Sequence, residues 1–199
     1  GRSNTRLFAL NYRLAPEHPF PAALDDALAA YRALIAAGIE PNRVMLAGDS
    51  AGGGLALALL VALRDAHEKL PAAGVLFSPW TDLAATGQSI VANDRSDALF
   101  FGSWIAPEAL YYLGETLATN PLASPVYADL TGLPPLFIQV SDSEVLLDDS
   151  RRVFENARKA GVEATLQIWH GVPHGWQIFA PILPEGRAAL RHASEFIAA

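Results

Sequence analysis

Five short apolar runs divide the chain, at residues 7–11, 44–47, 74–77, 136–140 and 165–169. Runs of this length, apolar rather than cleanly alternating, predict strands buried on both faces. Between them the spacing becomes helical. Leu24, Leu28, Tyr31 and Ile35 share one helix face, and Gly38 supplies the stop. Residues 55–63 are apolar on every side and predict a helix enclosed by other elements. Residues 148–160 predict an amphipathic helix with acids in its first turn and Gly161 past its end. Residues 186–197 predict a closing helix, and 107–113 a helix inside the less regular stretch 82–129. That stretch also holds Phe100, Phe101, Trp104, Tyr111 and Tyr112, a cluster that can belong to the core or to the acyl side of a site. Strands alternating with helices imply an α/β fold, a mostly parallel sheet with helices on both faces. Reactive groups in such sheets sit on loops at the carboxyl ends of the strands. No internal repeat or linker interrupts the chain, which predicts a single domain over 1–199.

Composition narrows the function classes. Of 199 residues, 51% are hydrophobic and 18% charged, which excludes a disordered chain. The net charge of −7, without a basic block, makes nucleic acid and anionic membrane poor partners. There is no cysteine, so disulfides, thiolate metal sites and cysteine nucleophiles are excluded. The apolar stretch 52–63 is too short to span a bilayer, and no stable membrane insertion is expected. The only methionine is Met45, and the chain opens on Gly1. We therefore expect a processed N-terminus or a portion of a longer protein.

The candidate chemistry begins at Gly48-Asp49-Ser50-Ala51-Gly52, which fits the G-x-S-x-G nucleophile elbow. A predicted strand precedes it and a predicted helix follows. The turn is tight, so small neighbours are needed to project the serine oxygen. The Ala51 N–H, at the head of the helix, points where an oxyanion would form. A plain glycine-rich turn would show the same five residues without the flanking strand and helix.

A serine hydroxyl needs a base. His18 lies in a proline-rich turn, and His67 and His192 are expected at solvated helix positions. His170 and His174 both follow the last strand. His174, in Pro173-His174-Gly175, lies where a loop can carry it over the sheet. Gly171 and Pro173 break any helix that would align the two rings on a metal, so no metal site is expected and His170 is assigned a structural hydrogen bond. The orienting carboxylate must come from the loop after the fourth strand. Asp142 and Glu144 both remain open on chemistry alone, while Asp148 and Asp149 read as helix-start acids. The chain order of serine, acid and histidine is that of α/β-hydrolases.

Taken together these segments resemble the hormone-sensitive-lipase-like branch of the α/β-hydrolases, bacterial carboxylesterases in particular. The resemblance rests on Tyr12-Arg13-Leu14-Ala15-Pro16-Glu17, on Gly48-Asp49-Ser50-Ala51-Gly52-Gly53 and on Ser78-Pro79-Trp80-Thr81-Asp82. Asn120-Pro121-Leu122-Ala123-Ser124-Pro125, Leu133-Pro134-Pro135-Leu136 and His174-Gly175-Trp176 extend it along nearly the whole chain. It implies an α/β-hydrolase fold and a serine carboxylesterase that cleaves short- or medium-chain carboxylic esters of small molecules through an acyl-enzyme, without a cofactor. The family's acid opens a D-P-L-x-D pattern, which falls here on Glu144-Val145-Leu146-Leu147-Asp148. The resemblance thus implies Ser50 as nucleophile, His174 as base, Glu144 as acid and Ala51 as an oxyanion donor. It gives Arg13, Glu17, Asp49 and Asp82 structural roles.

The same resemblance implies a His-Gly-Gly-Gly oxyanion loop, preceding cap helices and N-terminal strands upstream of Tyr12, none of which is in this sequence. A strand from that region would lie between 7–11 and 44–47. We therefore expect the isolated chain to be misfolded, rearranged or inactive, unless 7–11 pairs directly with 44–47 in a reduced sheet. A homodimer through the last strand and helix, and a cytoplasmic bacterial setting, are further expectations. A non-catalytic small-molecule-binding protein, or a deacetylase, amidase or lactonase with the same triad, are the alternatives, because fold does not fix function.

Overall fold

The computed structural model describes residues 5–198. Helix α1 (Ala22–Ala36) is followed by β1 (Met45–Asp49), α2 (Ala51–Asp65) and β2 (Ala73–Phe77). Then come α3 (Ser89–Ala92), α4 (Gly102–Leu113), β3 (Leu136–Ser141), α5 (Leu147–Lys159), β4 (Ala164–Trp169) and α6 (Pro184–Ala198). Short 3₁₀ turns occupy Pro41–Arg43, Pro125–Tyr127 and Trp176–Phe179.

The four strands form one parallel sheet in the order β1-β2-β3-β4. Its side chains divide by parity, as the pleat requires. Leu76 and Ile138 point to the layer of α2 and α5, where they meet Leu57, Leu60, Val153 and Ala157. Val75 and Phe137 point the other way, to Ala193 and Phe196 of α6. The Phe137 and Phe196 rings stack at 5.2 Å. Both faces are therefore covered, which explains why β2 carries no polar side chain and β3 only the buried Gln139 and Ser141.

Helix α2 is enclosed from two sides. Leu57 and Leu60 face the sheet, while Ala58, Leu59 and Leu63 face Leu24, Ala27 and Tyr31 of α1. An apolar circumference is the consequence of that position. The segment before α1 is tied down by Arg13. Its backbone N–H and guanidinium both donate to Asp26, at 2.9 and 2.7 Å. These bonds hold the Asp26 carboxyl down at about 2.

One predicted strand does not form. Residues 7–11 have no regular structure, and Leu7 and Phe8 are 90% and 63% exposed. An apolar run becomes a strand only when a neighbour completes its ladder and covers its side chains. Among the described residues no strand pairs with 7–11, β1 included, and of its apolar side chains Leu10 alone packs on the core, against the cluster of α1 and α2. One edge of β1 stays open among the described residues, yet the other four strands pair in sequence order.

Smaller differences concern helix starts. Helix α2 begins at Ala51, directly after the candidate nucleophile, and α4 begins at Gly102 with Pro107 in its interior. No helix among the described residues is long and apolar enough to cross a membrane.

Candidate active site

The turn between β1 and α2 is built around Ser50, whose backbone lies at φ 53° and ψ −122°. This is a left-handed conformation that a residue with a Cβ adopts only when its surroundings enforce it. Here four backbone hydrogen bonds do so. Ser50 N–H donates to Phe77 O at 2.9 Å, and the Ser50 carbonyl accepts from Gly53, Gly54 and Trp80 at 3.0, 3.1 and 2.9 Å. The glycines answer a packing demand. A Cβ on Gly48 would lie 2.1 Å from Gly52 O, and one on Gly54 would lie 2.0 Å from Trp80 O. The elbow and the loop after β2 are in backbone contact, so neither keeps its shape alone. Ala51 stands exposed at the first position of α2, where its N–H has no partner within the helix.

The loop after β4 carries both histidines. Gly171 and Gly175 take φ of 63° and 64°, and these two left-handed positions turn the chain back over the sheet. His174 ends up buried, with Nδ1 2.6 Å from Oε2 of Glu144. A carboxylate can only accept, so in the neutral imidazole this contact puts the proton on Nδ1 and leaves Nε2 as the acceptor. The Phe100 and His174 rings meet in a T-shaped contact with centroids 4.9 Å apart.

Glu144 is itself enclosed. Its Oε1 accepts from Ser78 Oγ at 2.7 Å and from Ser141 N–H at 2.8 Å. The turn that presents it is held from outside as well. Asn93 Nδ2 donates to the carbonyls of Asp142 and Glu144, and Asp97 accepts from Val145 N–H.

The other candidate acid, Asp142, is engaged elsewhere. It accepts from His170 Nδ1 at 2.6 Å and from Gly171 N–H at 2.9 Å, on the exposed rim. The bonds from Gly171 and His170 hold the Asp142 carboxyl below its usual range, and the same contact raises His170. The loops thus hold two parallel carboxylate–imidazole pairs, one buried and one solvated. Among the described residues no group of three or more acidic or histidine side chains could hold a metal.

A family model described as alpha/beta hydrolase fold matches residues 1–178. The chain belongs to the α/β-hydrolase family. It is 50% identical over 191 residues to an acetyl-hydrolase of Streptomyces hygroscopicus, covering 96% of this chain and 64% of that protein. It is 37% identical to an esterase of Acinetobacter venetianus, covering 98% of this chain and 65% of the relative. A crystallised esterase of the bacterial hormone-sensitive lipase family superposes with a TM-score of 0.93 at 53% identity, over 95% of this chain and 64% of that one. The chain therefore spans just under two thirds of each of these proteins.

Several α/β-hydrolase residues around the site differ from their expected parts. Asp148 and Asp149 do lie in the first turn of α5, but they also fasten the loop after β2. Asp149 accepts from the N–H groups of Thr81 and Asp82 at 2.7 and 2.8 Å, and Asp148 accepts from Ser89 N–H at 2.9 Å. Asp82 takes the structural part expected of it, bonded to Thr86, Tyr127 and Arg152. His192 is half-buried against Gln167 rather than solvated, and exposed His67 lies just past the end of α2.

Phe100, from the aromatic cluster, reaches the site at the His174 ring, whereas no sequence pattern assigns Ser78, Asn93 or Asp97 to it. Ser78 could have been singled out, because it follows β2 directly, at the carboxyl edge where site loops gather. Asn93 and Asp97 come from an irregular stretch with no pattern to mark them.

Proposed function

We propose that this chain carries the catalytic triad of a serine carboxylesterase for short-chain acyl esters. The observation that carries the reading is the buried His174–Glu144 contact at 2.6 Å, on loops at the same sheet edge as the strained Ser50 turn. The relatives named acetyl-hydrolase and esterase support the substrate class.

In this reading Ser50 Oγ attacks the ester carbonyl while His174 Nε2 takes its proton. Glu144 holds the imidazole in the Nδ1–H tautomer and stabilises the imidazolium that forms. The Ala51 N–H donates to the oxyanion. The alcohol leaves with the proton from His174. A water, deprotonated by the same nitrogen, then releases the carboxylic acid and restores Ser50.

The test is intact mass after incubation with a fluorophosphonate, which phosphonylates an activated serine. One adduct on the protein, absent from Ser50→Ala and from His174→Ala, is the expected result. Labelling that survives Ser50→Ala would overturn the assignment of the nucleophile. No adduct on a folded protein that also carries the oxyanion loop would overturn the esterase reading.

A further inference from the structure

We propose that Ser78 is a positioning residue for the acid, and that its hydroxyl fixes the Glu144 carboxylate plane so that Oε2 faces His174. The inference deepens the esterase reading and rests on it. A glutamate reaches its partner through one more rotatable bond than an aspartate, and its terminal torsion has no sharp minimum of its own. Something outside the side chain must therefore set the carboxylate plane. Two donors converge on Oε1, the Ser78 hydroxyl at 2.7 Å and the Ser141 N–H at 2.8 Å. With that oxygen held, Oε2 is the one left for His174.

The backbone of Ser78 points to the same conclusion. Ser78 is fully buried and lies at φ 42°, a left-handed conformation that is costly for a residue with a Cβ. Its N–H donates to Gln139 O at 2.7 Å, which locks the conformation at the end of β2. In that conformation the hydroxyl meets Glu144. A glycine would relieve the backbone strain but would lose the contact. The loop that begins at Ser78 also donates the Trp80 N–H to the Ser50 carbonyl. One short segment thus touches both the nucleophile's backbone and the acid's side chain.

The test compares Ser78→Ala and Ser78→Gly with the unmodified protein, using p-nitrophenyl acetate as substrate. Ser78→Ala keeps the Cβ and Ser78→Gly relaxes the φ, yet both remove the hydroxyl. Both are expected to lower kcat about 10- to 100-fold, the range for a lost hydrogen bond to a charged group, with KM within about 2-fold. Thermal melts establish that each variant is folded.

A second readout does not depend on turnover. The Nδ1 proton of His174 should give a downfield imidazole resonance that His174→Ala removes. It is expected to shift upfield or broaden in both Ser78 variants. Unchanged kcat and an unchanged resonance would overturn the proposal. So would a Ser78→Gly variant that keeps full kcat while Ser78→Ala loses it, because backbone shape rather than the hydroxyl would then matter. An unmodified protein without turnover, whose resonance still responds to Ser78, would sink the esterase reading and leave the positioning contact standing.

Discussion

Asp142 meets His170 and not His174: the Nδ1 of His170 lies 2.6 Å from Asp142 Oδ2, while Gly171 N–H occupies the other oxygen at 2.9 Å. Two residues further along the chain, Glu144 makes the equivalent contact to His174 in a buried setting. Both pairs join the same two loops. They differ in environment, since His170 is 96% exposed on its side chain and His174 is 7% exposed. Water screens the first pair, so it is expected to contribute little.

That difference gives a direct comparison of two carboxylates. Glu144→Gln places an amide beside His174 and lets Nδ1 act as acceptor, which favours the wrong tautomer. We expect turnover to fall by about 10³- to 10⁴-fold, the scale known for an Asp-to-Asn change in a serine-protease triad. Asp142→Asn is expected to stay within about 3-fold of the unmodified protein, because it disturbs only a solvated pair. Steady-state hydrolysis of p-nitrophenyl acetate measures both. The reverse ranking would move the acid to Asp142.

The glycines of the elbow are not equivalent, although the five-residue pattern treats them alike. A Cβ at Gly48 would meet only backbone, Gly52 O at 2.1 Å and Gly53 N at 2.7 Å, so nothing nearby can yield. A Cβ at Gly52 has nothing within 4 Å. We expect Gly48→Ala to unfold the elbow and lower the thermal midpoint sharply. Gly52→Ala is expected to leave the midpoint unchanged or to raise it, since alanine favours a helix by about 0.5–1 kcal/mol over glycine. Thermal melts of the two variants check this. Equal loss in both would mean that crowding does not explain Gly48.

Val75, Phe137, Leu76 and Ile138 are legible because burial on both faces favours apolar side chains. The run at 7–11 carries a similar pattern and forms no strand, because a strand is a property of a pair and no partner reaches it among the described residues. Ser50 and His174 stand out through their glycines, which mark sharp turns at strand ends. The choice between Asp142 and Glu144 was open on chemistry because both follow β3 closely. Their separation depends on which histidine each meets, and that is set by the path of the loop after β4. Ser78 and Asp149 act through contacts 66 and 68 residues away in the chain, which no local pattern encodes.

Asp149 predicts a pH dependence of stability with a definite sign. The residue is fully enclosed, and burial pushes its carboxyl up from 3.8 to about 7, against the pull of the Thr81 and Asp82 N–H groups and of Arg152. The nearby Asp82 charge adds to the rise. Between about pH 4 and about pH 7 the folded state therefore keeps a proton that the unfolded chain has released. Stability falls wherever the folded state binds more protons, so this group removes up to about 1.4 kcal/mol for each pH unit across that window. Asp149→Asn keeps an oxygen that can accept from Thr81 and Asp82 but no longer titrates. Denaturant unfolding of both proteins at several pH values in the window is the measurement. The stability of the unmodified protein minus that of the variant should decline with rising pH and level off above about 7. A flat difference would mean that Asp149 ionises in the folded state as it does in the unfolded chain. The loss of stability comes from burying the charge and not from a weaker anchor, because the ionised carboxylate is the stronger acceptor for the Thr81 and Asp82 N–H groups.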